Sequence, residues 1–183
     1  MLALYVILGI VILYLVFVYN SFVRLRNQVL NSYSGIDVQL KRRNDLIPNL
    51  VNAVKGYAKH EKDLLESLTK KRADLMNTLD EQDVKKVAKE DNKLTNNLKS
   101  LFAVSENYPD LKANQNFLKL KKQLRRTEDQ IAASRRIYNS NVATFNSKIQ
   151  VFPNNKLNKM FKFKKFDFYS IDDKEKRGVN IDF

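Results

Sequence analysis

The chain is expected to fold as an all-α protein, in which a single N-terminal transmembrane helix continues into an antiparallel, up-and-down helical bundle of four long helices. Three observations predict this. The first nineteen residues, Met1 to Tyr19, carry no charged side chain. Only four Gly and three Pro occur in 183 residues, so the punctuation that many short strands need is missing. Finally, Phe117, Leu124, Ile131, Tyr138, Phe145 and Phe152 recur every seven residues, the spacing of a bundle helix that keeps one seam against its neighbours.

The uncharged run is the first element. At about 1.5 Å per residue it makes a helix of roughly 28 Å, close to the ~30 Å hydrocarbon thickness of a bilayer. Leu, Ile, Val, Phe and Tyr lie on all its sides, whereas a core helix usually keeps a polar face. A cleaved secretory signal wants a positive n-region, a shorter apolar stretch and a small-residue exit; the run has none of these. No Lys or Arg precedes it, while Arg24, Arg26, Lys41, Arg42 and Arg43 follow. Positive charge marks the cytoplasmic side. The expectation is therefore a single-pass signal-anchor in the cell membrane, N-terminus outside and the bulk of the chain cytoplasmic. Residues 1–19 form the anchor, residues 20–153 the helical bundle and residues 154–183 a Lys/Phe-rich tail.

The helices of the bundle follow from apolar stripes. Phe22, Leu25, Val29, Ile36 and Leu40 step by three, four or seven directly after the anchor, which predicts one uninterrupted helix. Pro48 lacks the N–H a helix needs, so the stretch Asn44-Asp45-Leu46-Ile47-Pro48 is expected to end that helix, with Asp45 capping the next. A kinked, continuous helix is the alternative. The second stripe reads Ile47, Val51, Val54, Ala58, Leu65, Leu68, Leu75 and Leu79, with Glu61 and Arg72 among its slots. Residues 78–83 are polar apart from Leu79 and offer Asp80 as a cap for a third helix carrying Val84, Val87, Leu94, Leu98 and Leu101. Tyr108-Pro109-Asp110 makes the next turn, and the seven-residue repeat, flanked by Leu120, Thr127, Val142 and Ile149, is the fourth helix. Short connections between long helices make neighbours antiparallel.

Catalytic chemistry finds little to stand on. Cysteine is absent, which removes disulfides, thiol catalysis, thiolate metal sites and a lipobox-type acyl anchor. His60-Glu61 resembles the start of a zincin helix, but Leu64 stands four residues on and the chain has one histidine only. Asp45, Glu61, Asp63 and Glu66 read as partners of Lys on solvated faces rather than as metal ligands. No Gly-rich phosphate loop occurs. The expectation is a protein that is not an enzyme, with no catalytic, cofactor-binding or metal-binding residues and no cofactor.

The net charge of +13 invites an anionic partner, yet its lysines and arginines are spread among Asp and Glu, as on outer helix faces. The exception is the tail, where Lys162, Phe163, Lys164, Lys165 and Phe166 are candidate lipid-facing residues, with rings at the headgroup level and ammonium groups on anionic lipid. The same rings could instead close the open end of the bundle. No nucleic-acid reading module is recognisable, and no nucleic-acid partner is expected.

Several ordered segments resemble the LemA family: Tyr19-Asn20-Ser21-Phe22-Val23-Arg24-Leu25-Arg26-Asn27, Asp37-Val38-Gln39-Leu40-Lys41-Arg42-Arg43, Asp45-Leu46-Ile47-Pro48-Asn49-Leu50-Val51, Val54-Lys55-Gly56-Tyr57-Ala58-Lys59-His60-Glu61, Tyr108-Pro109-Asp110-Leu111-Lys112-Ala113-Asn114 and Tyr138-Asn139. The resemblance implies a bacterial membrane protein with a short outer N-terminus, one span and a cytoplasmic helical bundle. It implies no catalytic activity, no cofactor and no active-site residues. The chain departs from the usual pattern at Tyr33, where Trp is common, at Gly35 inside the first helix, and in its Lys-rich tail. Polar residues crowd the expected bend, either as a network that locks the turn or as a docking surface; on the second reading Arg42, Arg43 and Asp45 are the candidate partner-docking residues. The expected function is that of a membrane-anchored interaction or scaffold protein with a protein partner of unknown identity. The alternative is anionic-lipid binding by the basic bundle and the tail.

Overall fold

The computed structural model describes residues 1–58, 60–81 and 83–170. Its helices are α1 (Leu2–Lys55), α2 (Lys62–Asp80), α3 (Val84–Ser105), α4 (Pro109–Ala113), α5 (Gln115–Lys148) and α6 (Asn154–Phe161). The described residues contain no strand, so the fold is all-α. The chain divides into two compact units, Met1–Gly35 with Ser134–Phe168, and Ile36–Ala133 with Tyr169 from the tail. The expected tail continues over residues 171–183, which lie outside the described residues.

In the first unit, α1 enters as a helix whose apolar stretch is almost wholly uncovered by protein and long enough to cross a membrane. Burial begins at Val18 and continues at Phe22, four residues on, and at Val29, seven further. Residues 134–148 of α5 run antiparallel to this segment. Asn141 Nδ2 donates to the Gln28 carbonyl at 3.4 Å, and the Tyr33 and Tyr138 rings are 5.7 Å apart. Of the six-membered repeat, Tyr138 and Phe145 are buried here, but Phe152 is 80% exposed. The physical reason is that α5 stops at Lys148, so the heptad phase no longer aims position 152 at the seam. The chain passes through a cis Phe152-Pro153 bond into α6 and returns along α5 as an extended strap, residues 162–168.

Two asparagines hold that strap by its backbone. Asn158 Oδ1 accepts from Phe163 N at 3.0 Å while its Nδ2 donates to Phe163 O at 3.1 Å. Asn146 treats Phe166 in the same way, at 3.0 Å and 2.9 Å. Tyr138 Oη then donates to the Asp167 carbonyl at 2.9 Å. Burial, followed by the nearby Asp167 carboxylate, pushes the Tyr138 phenol up to about 12, so it stays a donor at physiological pH.

In the second unit, residues 36–55 of α1 pack with α2, α3, α4 and the first half of α5. Ile36, Leu40, Ile47, Leu50 and Val54 face inward from α1, and Phe117, Leu124 and Ile131 from α5. The expected break at Pro48 does not occur: α1 continues to Lys55. A proline at 48 deprives the Asn44 carbonyl of its i+4 donor. Arg72 Nε on α2 supplies the missing hydrogen bond at 2.9 Å, and the ring faces solvent. Four long helices remain, but the joint between the first two lies at residues 56–61, and Asp45 is in mid-helix rather than at a cap.

The other connections follow local chemistry. Asp80 ends α2, and Asp83 is the cap of α3, its Oδ1 accepting from Lys85 N and Lys86 N at 3.0 and 3.1 Å. Pro109 occupies the first turn of α4, where its missing N–H costs nothing. Asn114 Oδ1 accepts from Asn116 N and Phe117 N at 2.9 and 3.1 Å and so starts α5.

Candidate functional site

Arg43 is the clearest departure from the expected docking surface. It lies seven residues after Ile36 and seven before Leu50, on the inward stripe of α1, and its side chain is fully buried. A buried guanidinium needs partners. Its Nη2 pairs with Asp91 Oδ1, and its Nη1 donates to Thr95 Oγ1 and Glu128 Oε2, both at 2.9 Å. Asp91 is fully buried on the inward stripe of α3, between Val87 and Leu94. Its second oxygen accepts from Tyr169 Oη. The cluster thus fastens the described end of the tail to α1, α3 and α5 in the second unit. Arg43 is consumed inside the fold, and its side chain presents no surface at this bend.

Arg42 and Asp45 are exposed and, three residues apart, share one face of α1. Nearby, Asp37 is half-buried, and desolvation, opposed by the charge of Lys41, holds its carboxyl above the usual range.

A different surface of the second unit is concave. A groove of about 750 Å³ runs between the end of α1 and the outer face of α2. Val51, Ala58 and Leu65 form its floor, and Lys55, Lys62 and Lys70 stand on its rim with Glu66. Thr69 and Ala73 keep the α2 wall low. The start of α2 has no side-chain cap, which leaves its positive end at Lys62. Glu61, just before it, accepts from Tyr108 Oη at 3.0 Å, and that bond raises the tyrosine's pKa.

In the first unit, the five candidate lipid-facing residues separate. Lys162, Lys164 and Lys165 are exposed, but Phe163 and Phe166 turn inward. The Phe163 ring lies 5.5 Å from that of Phe22 and 6.3 Å from that of Phe145, and the Phe166 ring 5.2 Å from that of Phe145. These edge-on contacts cover the rings with protein rather than lipid. His60 is exposed. Among the described residues no group of three or more His, Cys, Asp or Glu is placed to hold a metal.

The chain is 32% identical over 152 residues to a protein of Metamycoplasma hominis called Protein LemA, covering 81% of this chain and 68% of that one. The model of the LemA family matches residues 32–183, which include the Arg43 cluster, the groove and the strap. The chain belongs to the LemA family.

Proposed function

We propose that the protein is a non-enzymatic, membrane-anchored interaction protein, held in the cell membrane by the start of α1, with both helical units on the cytoplasmic side. The basic residues that follow the span, from Arg24 onward, favour that side. One observation carries the interaction role: the apolar groove between α1 and α2, with three lysines on its rim. Its low floor admits a helix at close range, and its volume suits the few large side chains of an apolar stripe. The rim charge selects a partner helix whose stripe is flanked by Asp and Glu. Arg42 and Asp45 offer a smaller polar surface on α1.

The test is site-specific photo-crosslinking in the native membrane, with the probe at residue 69 in the groove or at residue 42. A probe at 69 is expected to capture an amphipathic helix with acidic flanks, and Lys55→Glu with Lys62→Glu and Lys70→Glu to abolish capture. Capture at 42 alone, of a basic segment, or of a second copy of this chain sinks the reading.

A second reading, contact with anionic lipid, is favoured by the aromatic pairing of Tyr19 with Phe161 at 5.2 Å and with Phe163 at 5.9 Å. Tyr19 ends the apolar run, so this pairing brings the basic residues around α6 to the membrane end of the first unit.

A further inference from the structure

The large apolar residues left exposed in the first unit beyond the span are unevenly placed. Leu30, Ile137 and Phe168 stand apart at 42%, 58% and 47% exposure, whereas Val151 (50%) and Phe152 (80%) lie together in the turn from α5 into α6 and Met160 (60%) lies on α6 itself. The antiparallel pairing of Gln28 with Asn141 fixes the height of that turn. From Asn141 to the end of α5 is seven residues, about 10 Å at 1.5 Å per residue, toward the apolar end of α1. Position 150 therefore stands level with Tyr19, at the end of the apolar run. The Tyr19–Phe161 ring contact fixes the other end of α6 at the same height.

α6 itself has two faces. Asn154 is buried, Asn158 holds the strap and Phe161 packs on Tyr19, all on the side toward α1 and α5. Lys156, Lys159 and Met160, spaced three and four apart, share the opposite, exposed face. Lys162 follows, exposed, at the left-handed end of the helix.

We infer that the α5–α6 turn and α6 form an interfacial foot, in which Val151, Phe152 and Met160 enter the boundary of the anionic leaflet beside the span while Lys156, Lys159 and Lys162 lie at the lipid phosphates. Lipid is the occupant because the patch continues the uncovered apolar surface of α1 at the level where that surface leaves the membrane. Short basic amphipathic elements settle at this depth, and lysine stems extend from it to the phosphates. The foot presupposes the lipid reading and reassigns its residues: the phenylalanines that meet lipid are not Phe163 and Phe166, which the fold covers, but Phe152, which it leaves bare.

The test uses the full chain in lipid nanodiscs. The protein has no cysteine, so Phe152→Cys, Met160→Cys and Ile137→Cys each give a single site for an environment-sensitive fluorophore. Ile137 is 58% exposed and stands about 20 Å from the Tyr19 level at 1.5 Å per residue, which makes it the control. In discs of phosphatidylcholine with phosphatidylglycerol, quenchers on the upper acyl chain should quench the labels at 152 and 160 severalfold more than the label at 137. Aqueous iodide should do the reverse. Lys156→Gln with Lys159→Gln and Lys162→Gln should reduce the lipid quenching at 152. Labels at 152 and 160 that behave like the one at 137 in every disc overturn the foot. Equal insertion into discs of phosphatidylcholine alone, unchanged by removing the lysines, keeps the apolar contact and overturns the anionic-lipid reading beneath it.

Discussion

Arg72 Nε donates to the backbone carbonyl of Asn44 at 2.9 Å, occupying the acceptor that the proline at position 48 leaves without its helical partner. The side chain of one helix completes the ladder of another. Arg72→Met should therefore cost about 1–3 kcal/mol by leaving a carbonyl unmatched. Pro48→Ala restores an N–H at that place and should recover most of the loss. Denaturant titration of the full chain in detergent, run as a double-mutant cycle, checks this, and strictly additive effects would show that the two positions are not linked.

The Arg43–Asp91 pair predicts a stability effect where a docking role predicts none. Arg43→Met or Asp91→Asn should each destabilise the chain by about 3–5 kcal/mol, because the fully buried partner loses its closest counter-charge, although Asp91 keeps Tyr169 and Arg43 keeps Glu128. Arg43→Met combined with Asp91→Leu should be far milder than either alone. Tyr169→Phe removes a hydrogen bond to a carboxylate and should cost about 1.5–3 kcal/mol. An Arg43→Ala variant with wild-type stability would return Arg43 to the list of surface residues.

These two relationships also mark how far the sequence was legible. Apolar spacing located the long helices, the turn at Pro109 and the uninterrupted passage from the anchor into α1. It leaves Pro48 between a break and a continuous helix, because the donor that rescues Asn44 is 28 residues away, beyond any local rule. Whether Arg43 joins a network or a surface is legible in the stripe: it fills the slot between Ile36 and Leu50, as Asp91 fills the one between Val87 and Leu94. Opposite charges on two inward stripes predict each other. Nothing local announces Tyr169, and the groove, which depends on which helix faces stay uncovered, left no mark in the periodicity. The heptad extended to Phe152 failed for the opposite reason, since spacing persists in the sequence after the helix has ended.

Asp37 provides the pH signature. Its carboxyl is raised above the ordinary 3.8 by burial, with Lys41 opposing, and its Oδ1 has no hydrogen-bond partner. The folded state therefore holds this proton more tightly than the unfolded one. The contribution of Asp37 to stability is present at acid pH and falls as pH rises through the ordinary carboxylate value to the raised one. Asp37→Asn should stabilise the protein at neutral pH, with the difference from wild type closing below pH 3.8. Thermal melts across that range decide it. A difference that grows toward acid would contradict the assignment.

Asn146 is the anchor of the strap, and Asn146→Ala removes both of its hydrogen bonds to Phe166, which should cost about 1–3 kcal/mol. Lys164→Gln with Lys165→Gln should change stability by less than about 0.5 kcal/mol, since both lysines are exposed. Hydrogen exchange at the Phe166 amide distinguishes the two variants, because only the first should release it.

A side chain that grips the main chain does not read what the gripped residues carry. Asn158 and Asn146 bind peptide groups, and the rings of Phe163 and Phe166 supply the burial, so positions 162, 164 and 165 are free of any duty in holding the strap. Their charge can drift under selection for a different surface or lipid mixture while the frame beneath stays as it is. Relatives of this protein can thus inherit one support and display unlike chemistry on it.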